Sequence, residues 1–261
     1  MSRIGRAFED AKAEGRAALI GYLTAYDPDL DGSLERIMAA CDAGLDVLEL
    51  GVPFSDPTAD GPAVQSAMVR ALAAGATLPK VLDLARAVRE RSDVPIVLFS
   101  YANPLLQMGS RLGAAAAGAG VDGLLVVDCP PAHADELRAP AAARGLDWIG
   151  LVAPTTSEIR MDTVAEVTTG FVYAVTLKGV TGAELDADSD ALGKQLATVK
   201  SRFNVPVAAG FGVRSAKQAQ ALASKVDGVV VGSALIRAAQ ESVGALTELV
   251  RDLRAGVEVG R

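Results

Sequence analysis

Short apolar runs recur along the chain, and a segment with the spacing of an amphipathic helix follows most of them. The runs have continuously apolar interiors, as expected for strands that are covered on both faces. There are eight: Ala18–Leu23, Asp46–Leu50, Pro95–Ser100, Gly123–Val127, Trp148–Val152, Phe171–Val175, Pro206–Ala209 and Gly228–Val231. Strands that alternate with helices predict parallel βαβ units with right-handed crossovers. Eight such units in 261 residues predict an α/β fold, a closed (β/α)8 TIM barrel, rather than an open sheet.

The segments between the runs predict the outer helix layer. Amphipathic stretches include Ser33–Ala43, Leu78–Arg91, Ala134–Arg144 and Ala216–Ala223. Residues typical of helix starts and helix ends flank the predicted helices; they are Asp31, Ser33 and Ser215 at the starts and Gly44, Gly120 and Gly145 at the ends. An extra amphipathic segment, Ile4–Ala13, precedes the first strand and is predicted to cover the bottom of the barrel. Because no linker or repeat interrupts the pattern, residues 1–261 are predicted to form a single domain.

Two loops are longer than helix packing requires. One runs from Gly51 to Pro62 after the second strand, and the other from Thr176 to about Asp190 after the sixth. Long loops that follow barrel strands lie at the C-terminal face, where active sites form. The glycines of the second loop suit a mobile lid, although an ordinary exposed loop is the alternative.

Glu49 is a carboxylate inside an otherwise apolar strand, close to its C-terminal end. Side chains alternate along a strand, so Glu49 points away from the side taken by Leu48 and Leu50, either into the barrel or towards the helices. Burial raises a carboxyl pKa, and a raised pKa suits a general acid near neutral pH. A buried ion pair is the structural alternative. The proline-stiffened loop that follows adds Asp56 and Asp60, which alone are ordinary turn residues.

Glycine motifs after the seventh and eighth strands predict a phosphate site. Ala209–Val213 contains Gly210 and Gly212, whereas Val231–Ala234 contains Gly232 and opens a short helical segment, Ala234–Ala239. Loops after these two strands and a short extra helix form the usual phosphate site of barrels. Glycine permits close backbone approach, and the helix N-terminus attracts the anion.

Composition narrows the function classes. The net charge is −7 and basic residues are scattered, so nucleic acid is not an expected partner. No stretch resembles a signal peptide or a membrane span, so we expect a cytoplasmic protein without membrane contact. Cys41 and Cys129 lie in apolar segments and are interpreted as reduced packing residues. His133 and Trp148, each unique in the chain, are interpreted as structural, and no metal-ligand cluster is apparent.

The motifs together resemble those of the tryptophan synthase α-subunit family, in its order and spacing. They are Leu48–Pro62, Tyr101–Pro104, Ala153–Thr156, Gly179–Gly182, Gly210–Gly212 and Gly232–Ser233. The resemblance extends from about residue 18 to residue 240. It implies the (β/α)8 barrel that the strand pattern predicts independently. It also implies a carbon–carbon lyase of tryptophan biosynthesis, which splits indole-3-glycerol phosphate into indole and glyceraldehyde 3-phosphate.

The resemblance also implies roles for particular residues. Glu49 matches the general acid/base and Asp60 the second catalytic carboxylate, which contacts the indole nitrogen. The matches to substrate-binding positions are Tyr22, Tyr101, Tyr173, Thr181 and Phe211, with Thr181 closing the lid onto Asp60. The matches to phosphate-binding positions are Gly182, Gly212, Gly232 and Ser233.

A partner subunit is implied as well. Pro53 and Asp56 resemble the surface that meets the tryptophan synthase β-subunit, and an α2β2 tetramer is expected. No cofactor or metal is expected in this chain, since pyridoxal phosphate belongs to the β-subunit in this family. Two departures stand out: Thr176 and Leu177 occupy places where many members carry Ser-Arg, and Tyr26 stands where the family often has glycine.

Three other functions are compatible with the sequence. Lys178 follows the sixth strand, where some barrel aldolases place a Schiff-base lysine. A relative that only activates a β-subunit would not need catalysis, although Glu49 and Asp60 are both present. A free-standing lyase without a partner would use the same chemistry.

Overall fold

The fold is a closed parallel barrel of eight strands. The computed structural model describes residues 1–176, 190–210 and 212–258. The strands pair in chain order, and the eighth pairs with the first. They are β1 (Ala18–Thr24), β2 (Val47–Gly51), β3 (Ile96–Ser100), β4 (Gly123–Val126), β5 (Asp147–Val152), β6 (Val172–Val175), β7 (Val207–Gly210) and β8 (Gly228–Val231). Every strand boundary lies within one residue of its predicted place, so the predicted (β/α)8 barrel is confirmed.

Helices surround the barrel. They are α1 (Arg3–Ala13), α2 (Leu30–Asp42), α3 (Pro62–Ala73), α4 (Leu78–Arg89), α5 (Ala102–Leu106), α6 (Leu112–Gly118), α7 (Asp135–Ala142), α8 (Glu158–Val167), α9 (Asp190–Arg202), α10 (Ala216–Ala223), α11 (Ser233–Glu241) and α12 (Val243–Glu258). Short 3₁₀ turns lie at Gly109–Arg111 and Pro131–His133. No helix within the described ranges is long and apolar enough to cross a membrane. The sequence pattern did not single out α3, the helix that follows the loop carrying Asp60.

The first turn of α2 differs from the prediction. Asp29, rather than Asp31 or Ser33, is the N-cap, and its Oδ1 accepts a hydrogen bond from the Gly32 N–H at 2.8 Å. Ser33 lies inside the helix, where its Oγ accepts from the Tyr26 N–H at 3.1 Å. This bond holds Tyr26 at φ +64°, a left-handed conformation that favours glycine. A glycine at this position would adopt the same conformation without strain.

The other predicted helix ends are confirmed. Ser215 caps α10 by accepting from the Gln218 N–H. Gly44, Gly120 and Gly145 follow helices with φ between +74° and +116°.

Two apolar layers lie on the two sides of the strands. The outer layer, between strands and helices, contains Leu48 and Leu50 and also Trp148, while Cys41 and Cys129 pack at its edge. The inner layer fills the barrel and contains Val47, which shares a strand face with Glu49. Glu49 therefore points into the barrel rather than towards the helices.

Helix α1 covers the bottom of the barrel, as predicted. Ile4 and Phe8 are buried in the inner layer, and the Phe8 ring lies 5.4 Å from that of Phe171. The first residues of β4 and β8 are glycines that make room for this helix. A Cβ on Gly123 would lie 3.0 Å from the Ile4 side chain, and a Cβ on Gly228 would lie 2.9 Å from the Phe8 ring. The open end of the barrel is consequently the C-terminal face.

Candidate active site

A cavity of about 320 Å³ opens at the C-terminal face of the barrel. Residues of β1, β2, β6 and β8 and of the loops after β2 and β7 line it. Glu49 and Asp60 both belong to this lining, as do the predicted phosphate-binding residues Gly212, Gly232 and Ser233. The structure therefore brings the two carboxyl groups and the glycine rim to one space.

Glu49 is the most deeply buried polar group of the cavity. Its side chain is 1% exposed, and its Oε1 has no hydrogen-bond partner within the described part of the chain. Burial raises the pKa of Glu49 to about 8. Among residues 1–176, 190–210 and 212–258, no cation forms an ion pair with Glu49, so the ion-pair alternative is not seen in this part of the chain. A carboxyl group that is protonated at neutral pH and faces a cavity can act as a general acid.

Two tyrosines stand beside Glu49. Tyr22 is the direct neighbour of Glu49 in the β1–β2 register, and Tyr173 projects from β6; both line the cavity. Burial raises the pKa of both hydroxyls, and the charges of Glu49 and Asp60 raise them further. Both phenols thus remain neutral, and both interact electrostatically with the two carboxyl groups. Gly51 makes room for Tyr22, because a Cβ there would lie 2.1 Å from the Tyr22 hydroxyl.

Asp60 lies at the end of the loop after β2, immediately before α3. It is 4% exposed, and the Tyr101 hydroxyl donates to its Oδ2 at 2.7 Å. That hydroxyl in turn accepts from the Ala59 N–H at 2.9 Å. Burial raises the pKa of Asp60, while the hydrogen bond from Tyr101 lowers it. Asp60 is therefore held in one place by a donor that favours its charged form.

Tyr101 has a different position from the one expected. It is fully buried, but it is not part of the cavity lining, where Tyr22 and Tyr173 lie. Its ring packs 5.1 Å from that of Phe54. The geometry makes Tyr101 a positioning residue for Asp60. Sequence reasoning could not find this contact, because 41 residues separate Tyr101 from Asp60.

The predicted phosphate rim consists of backbone from two loops. Gly212 has φ +85°, a conformation that favours glycine. Gly232 is the N-cap of α11, without a side-chain cap, and Ser233 is the first residue of that helix. The free N–H groups of the helix start therefore lie at the cavity.

The sequence analysis did not identify two arginines that line the cavity. Arg214 follows Gly212 by two residues, and Arg237 lies one turn after Ser233 on α11. The signal was present in the sequence, because Arg237 lies in the predicted short helix at the i+4 position from Ser233.

Several predicted site residues lie outside the described residues. They are Thr181, Gly182 and Phe211, together with Leu177 and Lys178 of the loop after β6. Tyr26 does not line the cavity and packs in the outer layer instead. Pro53 is buried and Asp56 is exposed. Within residues 1–176, 190–210 and 212–258, no group of three or more His, Cys, Asp or Glu side chains could hold a metal ion.

The fold and the cavity define a class of protein: a (β/α)8 barrel with a buried carboxyl group and a glycine-containing rim beside a helix N-terminus at its C-terminal face. The family model described as tryptophan synthase alpha chain matches residues 8–258. The chain therefore belongs to the tryptophan synthase alpha chain family, whose members are lyases of tryptophan biosynthesis.

Relatives and solved structures agree with this assignment. The tryptophan synthase alpha chain of Gluconacetobacter diazotrophicus is 49% identical, over 94% of this chain and 90% of the relative. That of Burkholderia thailandensis is 48% identical, over 99% and 97%. A structure of Mycobacterium tuberculosis tryptophan synthase superposes with a TM-score of 0.93 at 38% identity, covering 99% of both chains.

Proposed function

We propose that this chain cleaves indole-3-glycerol phosphate to indole and glyceraldehyde 3-phosphate, with Glu49 as general acid and base. The observation that carries the proposal is the buried Glu49 carboxyl group, without a partner on Oε1, in the same cavity as Asp60. The cavity also has apolar walls that suit an indole ring, including Phe99, Leu151 and Val230.

Proton transfer at two atoms drives the reaction. The protonated Glu49 donates its proton to indole C3, which disrupts the aromatic π-system and leaves positive charge on the ring. The bond between C3 and the glycerol side chain then breaks, and its electron pair returns to the ring. The carbon released from C3 becomes the aldehyde carbon as its hydroxyl proton passes back to the Glu49 carboxylate. Each transfer contributes roughly 10²–10⁴-fold to the rate.

Asp60 stabilises the charged ring. Protonation of C3 spreads positive charge onto the indole N–H, and a carboxylate that accepts this N–H stabilises that charge. The Tyr101 hydroxyl fixes Asp60 for this contact. The phosphate group of the substrate is bound by the backbone around Gly212, Gly232 and Ser233, which places the glycerol chain between the rim and Glu49.

A β-subunit is the proposed partner, in an α2β2 assembly. Support comes from the similarity to the Mycobacterium tuberculosis tryptophan synthase structure. Of the two residues expected at the interface, Asp56 is exposed on the loop that leads to Asp60, whereas Pro53 is buried and supports that loop. A partner that contacts Asp56 would therefore act on the segment that carries a catalytic carboxylate.

Glu49→Gln tests the proposal. The variant keeps the shape of the side chain but cannot exchange a proton, so indole release should fall at least 100-fold. Release is measured with and without the cognate β-subunit, and complex formation is followed by size-exclusion chromatography. Glu9→Gln, at an exposed position of α1, is the matched control and should retain full activity.

The outcomes separate the alternatives. Undiminished activity of Glu49→Gln would refute the role of Glu49. Full wild-type activity and no complex with the β-subunit would indicate a free-standing lyase. Activation of a β-subunit without indole release by the wild-type chain would indicate a protein that only activates its partner.

A further inference from the structure

Arg237 occupies a particular place on the phosphate rim. It lies on α11 four residues after Ser233, so the two side chains share one face of the helix, and both line the cavity. We propose that the Arg237 guanidinium binds the phosphate group of the substrate directly, adding a side-chain cation to a rim of backbone N–H groups. The inference rests on the proposed function, because it assigns a further residue to the same substrate.

The positive end of α11 has no acidic side chain in its first turn, as is also the case for α3 and α4. Gly232 offers no side-chain cap. The N-terminus of a helix carries about half a positive charge, and Arg237 adds a full one within the next turn. The positive helix N-terminus and the Arg237 guanidinium repel each other when no anion is bound. A phosphate group at Gly232 and Ser233 would compensate both positive charges.

Arg237 is available for a ligand. No carboxylate among residues 1–176, 191–210 and 212–258 forms an ion pair with it. The arginines at the bottom of the barrel differ, since Arg16 is bound to Asp46 and Arg89 to Asp122. A guanidinium that no described carboxylate binds, beside a helix N-terminus, matches the geometry of a phosphate monoester.

The rest of the cavity supports a ligand at this point. Among the described residues, the acidic ones of the lining are Glu49 and Asp60, which belong to β2 and to the loop after it, whereas Arg214 is a second cation of the lining. Glu49 is almost completely buried and its Oε1 has no partner, as expected for a group that waits for a ligand. The whole chain carries a net charge of −7, so local cations are needed to attract an anionic substrate.

Kinetics and binding of Arg237→Gln test the inference. A contact made equally in the bound substrate and in the transition state affects KM and leaves kcat unchanged. We expect KM for indole-3-glycerol phosphate to rise about tenfold, with kcat within twofold of the wild-type value. Arg237→Lys should recover part of the loss, because it keeps the charge without the fork of donors.

Titration calorimetry with two small probes isolates the phosphate contact. Affinity for glycerol 3-phosphate should fall about tenfold in Arg237→Gln, whereas affinity for indole, which has no phosphate, should not change. Arg251→Gln removes an exposed arginine from α12 and is the matched control; it should bind both probes as the wild type does.

Two results would overturn the inference. Unchanged affinity of Arg237→Gln for glycerol 3-phosphate would show that the arginine does not contact the phosphate. An equal loss of affinity for glycerol 3-phosphate and indole would show that Arg237 only shapes the cavity. If the wild type releases no indole, the proposed lyase function fails, and the titrations still decide on Arg237 because they do not depend on turnover.

Discussion

The two carboxyl groups of the cavity have different surroundings, and the difference assigns their roles. Burial raises the pKa of both, but only Asp60 receives a hydrogen bond, from Tyr101, that favours its charged form. Glu49, with a pKa of about 8, is mainly protonated at neutral pH. In the proposed mechanism, Glu49 therefore serves as the acid and Asp60 as the anion that accepts the indole N–H.

Tyr101→Phe should separate positioning from chemistry. The variant loses the donor to Asp60 and the acceptor for the Ala59 N–H, so Asp60 becomes more mobile and its pKa rises further. We expect kcat to fall about tenfold and the acidic limb of the pH–rate profile to move to higher pH, because Asp60 must be ionised. Both are measured from indole release between pH 5 and pH 9.

Tyr26→Phe is the matched control, since Tyr26 packs in the outer layer and does not line the cavity. Its pH–rate profile should coincide with that of the wild type. A Tyr101→Phe profile that also coincides would mean that the hydroxyl does not position Asp60.

Aspartates join neighbouring strands at the bottom of the barrel. Each immediately precedes a strand and accepts a backbone N–H from the first or second residue of an adjacent strand. The pairs are Asp46 with Leu19, Asp122 with Ile96, and Asp227 with Val207. Arginines or lysines bind the same carboxylates, so their charges are compensated. The face opposite the active site therefore stabilises the fold.

Asp122→Ala should destabilise the barrel without affecting its chemistry. The side chain is 8% exposed, accepts from the Ile96 N–H and binds both Arg89 and Arg3. Its removal leaves the partly buried Arg89 guanidinium without its carboxylate and the Ile96 N–H without its acceptor, which costs about 2–4 kcal/mol of unfolding free energy. Urea denaturation measures the loss, and the activity of the folded fraction should not change.

The control is Asp83→Ala, which removes an exposed i,i+3 ion pair with Arg86 on α4. It should change the unfolding free energy by less than about 1 kcal/mol. Equal effects of the two substitutions would contradict a structural role specific to the bottom of the barrel.

At the scale of the whole molecule, the buried Glu49 links stability to pH. Its carboxyl group keeps a proton in the folded chain up to a pKa of about 8, whereas the unfolded chain loses it near 4.5. The folded state binds more protons between these values, so stability falls as pH rises from 4.5 to 8 and this contribution is constant above. Relative to Glu49→Gln, the wild type should lose about 1.4 kcal/mol per pH unit over this window.

Chemical denaturation of both proteins between pH 5 and pH 9 measures this difference. Asp60 is present in both, so its own titration largely cancels. Parallel stability curves would mean that the Glu49 pKa is not raised in the folded protein.

The barrel could be predicted from the sequence, but the side-chain contacts of its candidate site could be predicted only in part. Each strand is a local apolar run, and therefore Gly228–Val231 was predicted to the residue. The strand pattern alone could not show whether Glu49 points into the barrel or towards the helices, and the structure of the closed barrel was needed to decide between them. The bond between Tyr101 and Asp60 and the cap at Asp29 depend on side-chain geometry that no periodicity encodes. The roles implied for Thr181, Gly182 and Phe211 stay predictions.

The pairing of β8 with β1 makes the last strand the closing element of the sheet. A chain that ended before Gly228 would leave β1 and β7 with open edges, where unpaired N–H and C=O groups invite strands of other molecules. One edge of β1 therefore gains its hydrogen-bond partners only when β8, near the end of the chain, is present. A chain truncated before β8 is therefore expected to self-associate as well as to lose activity.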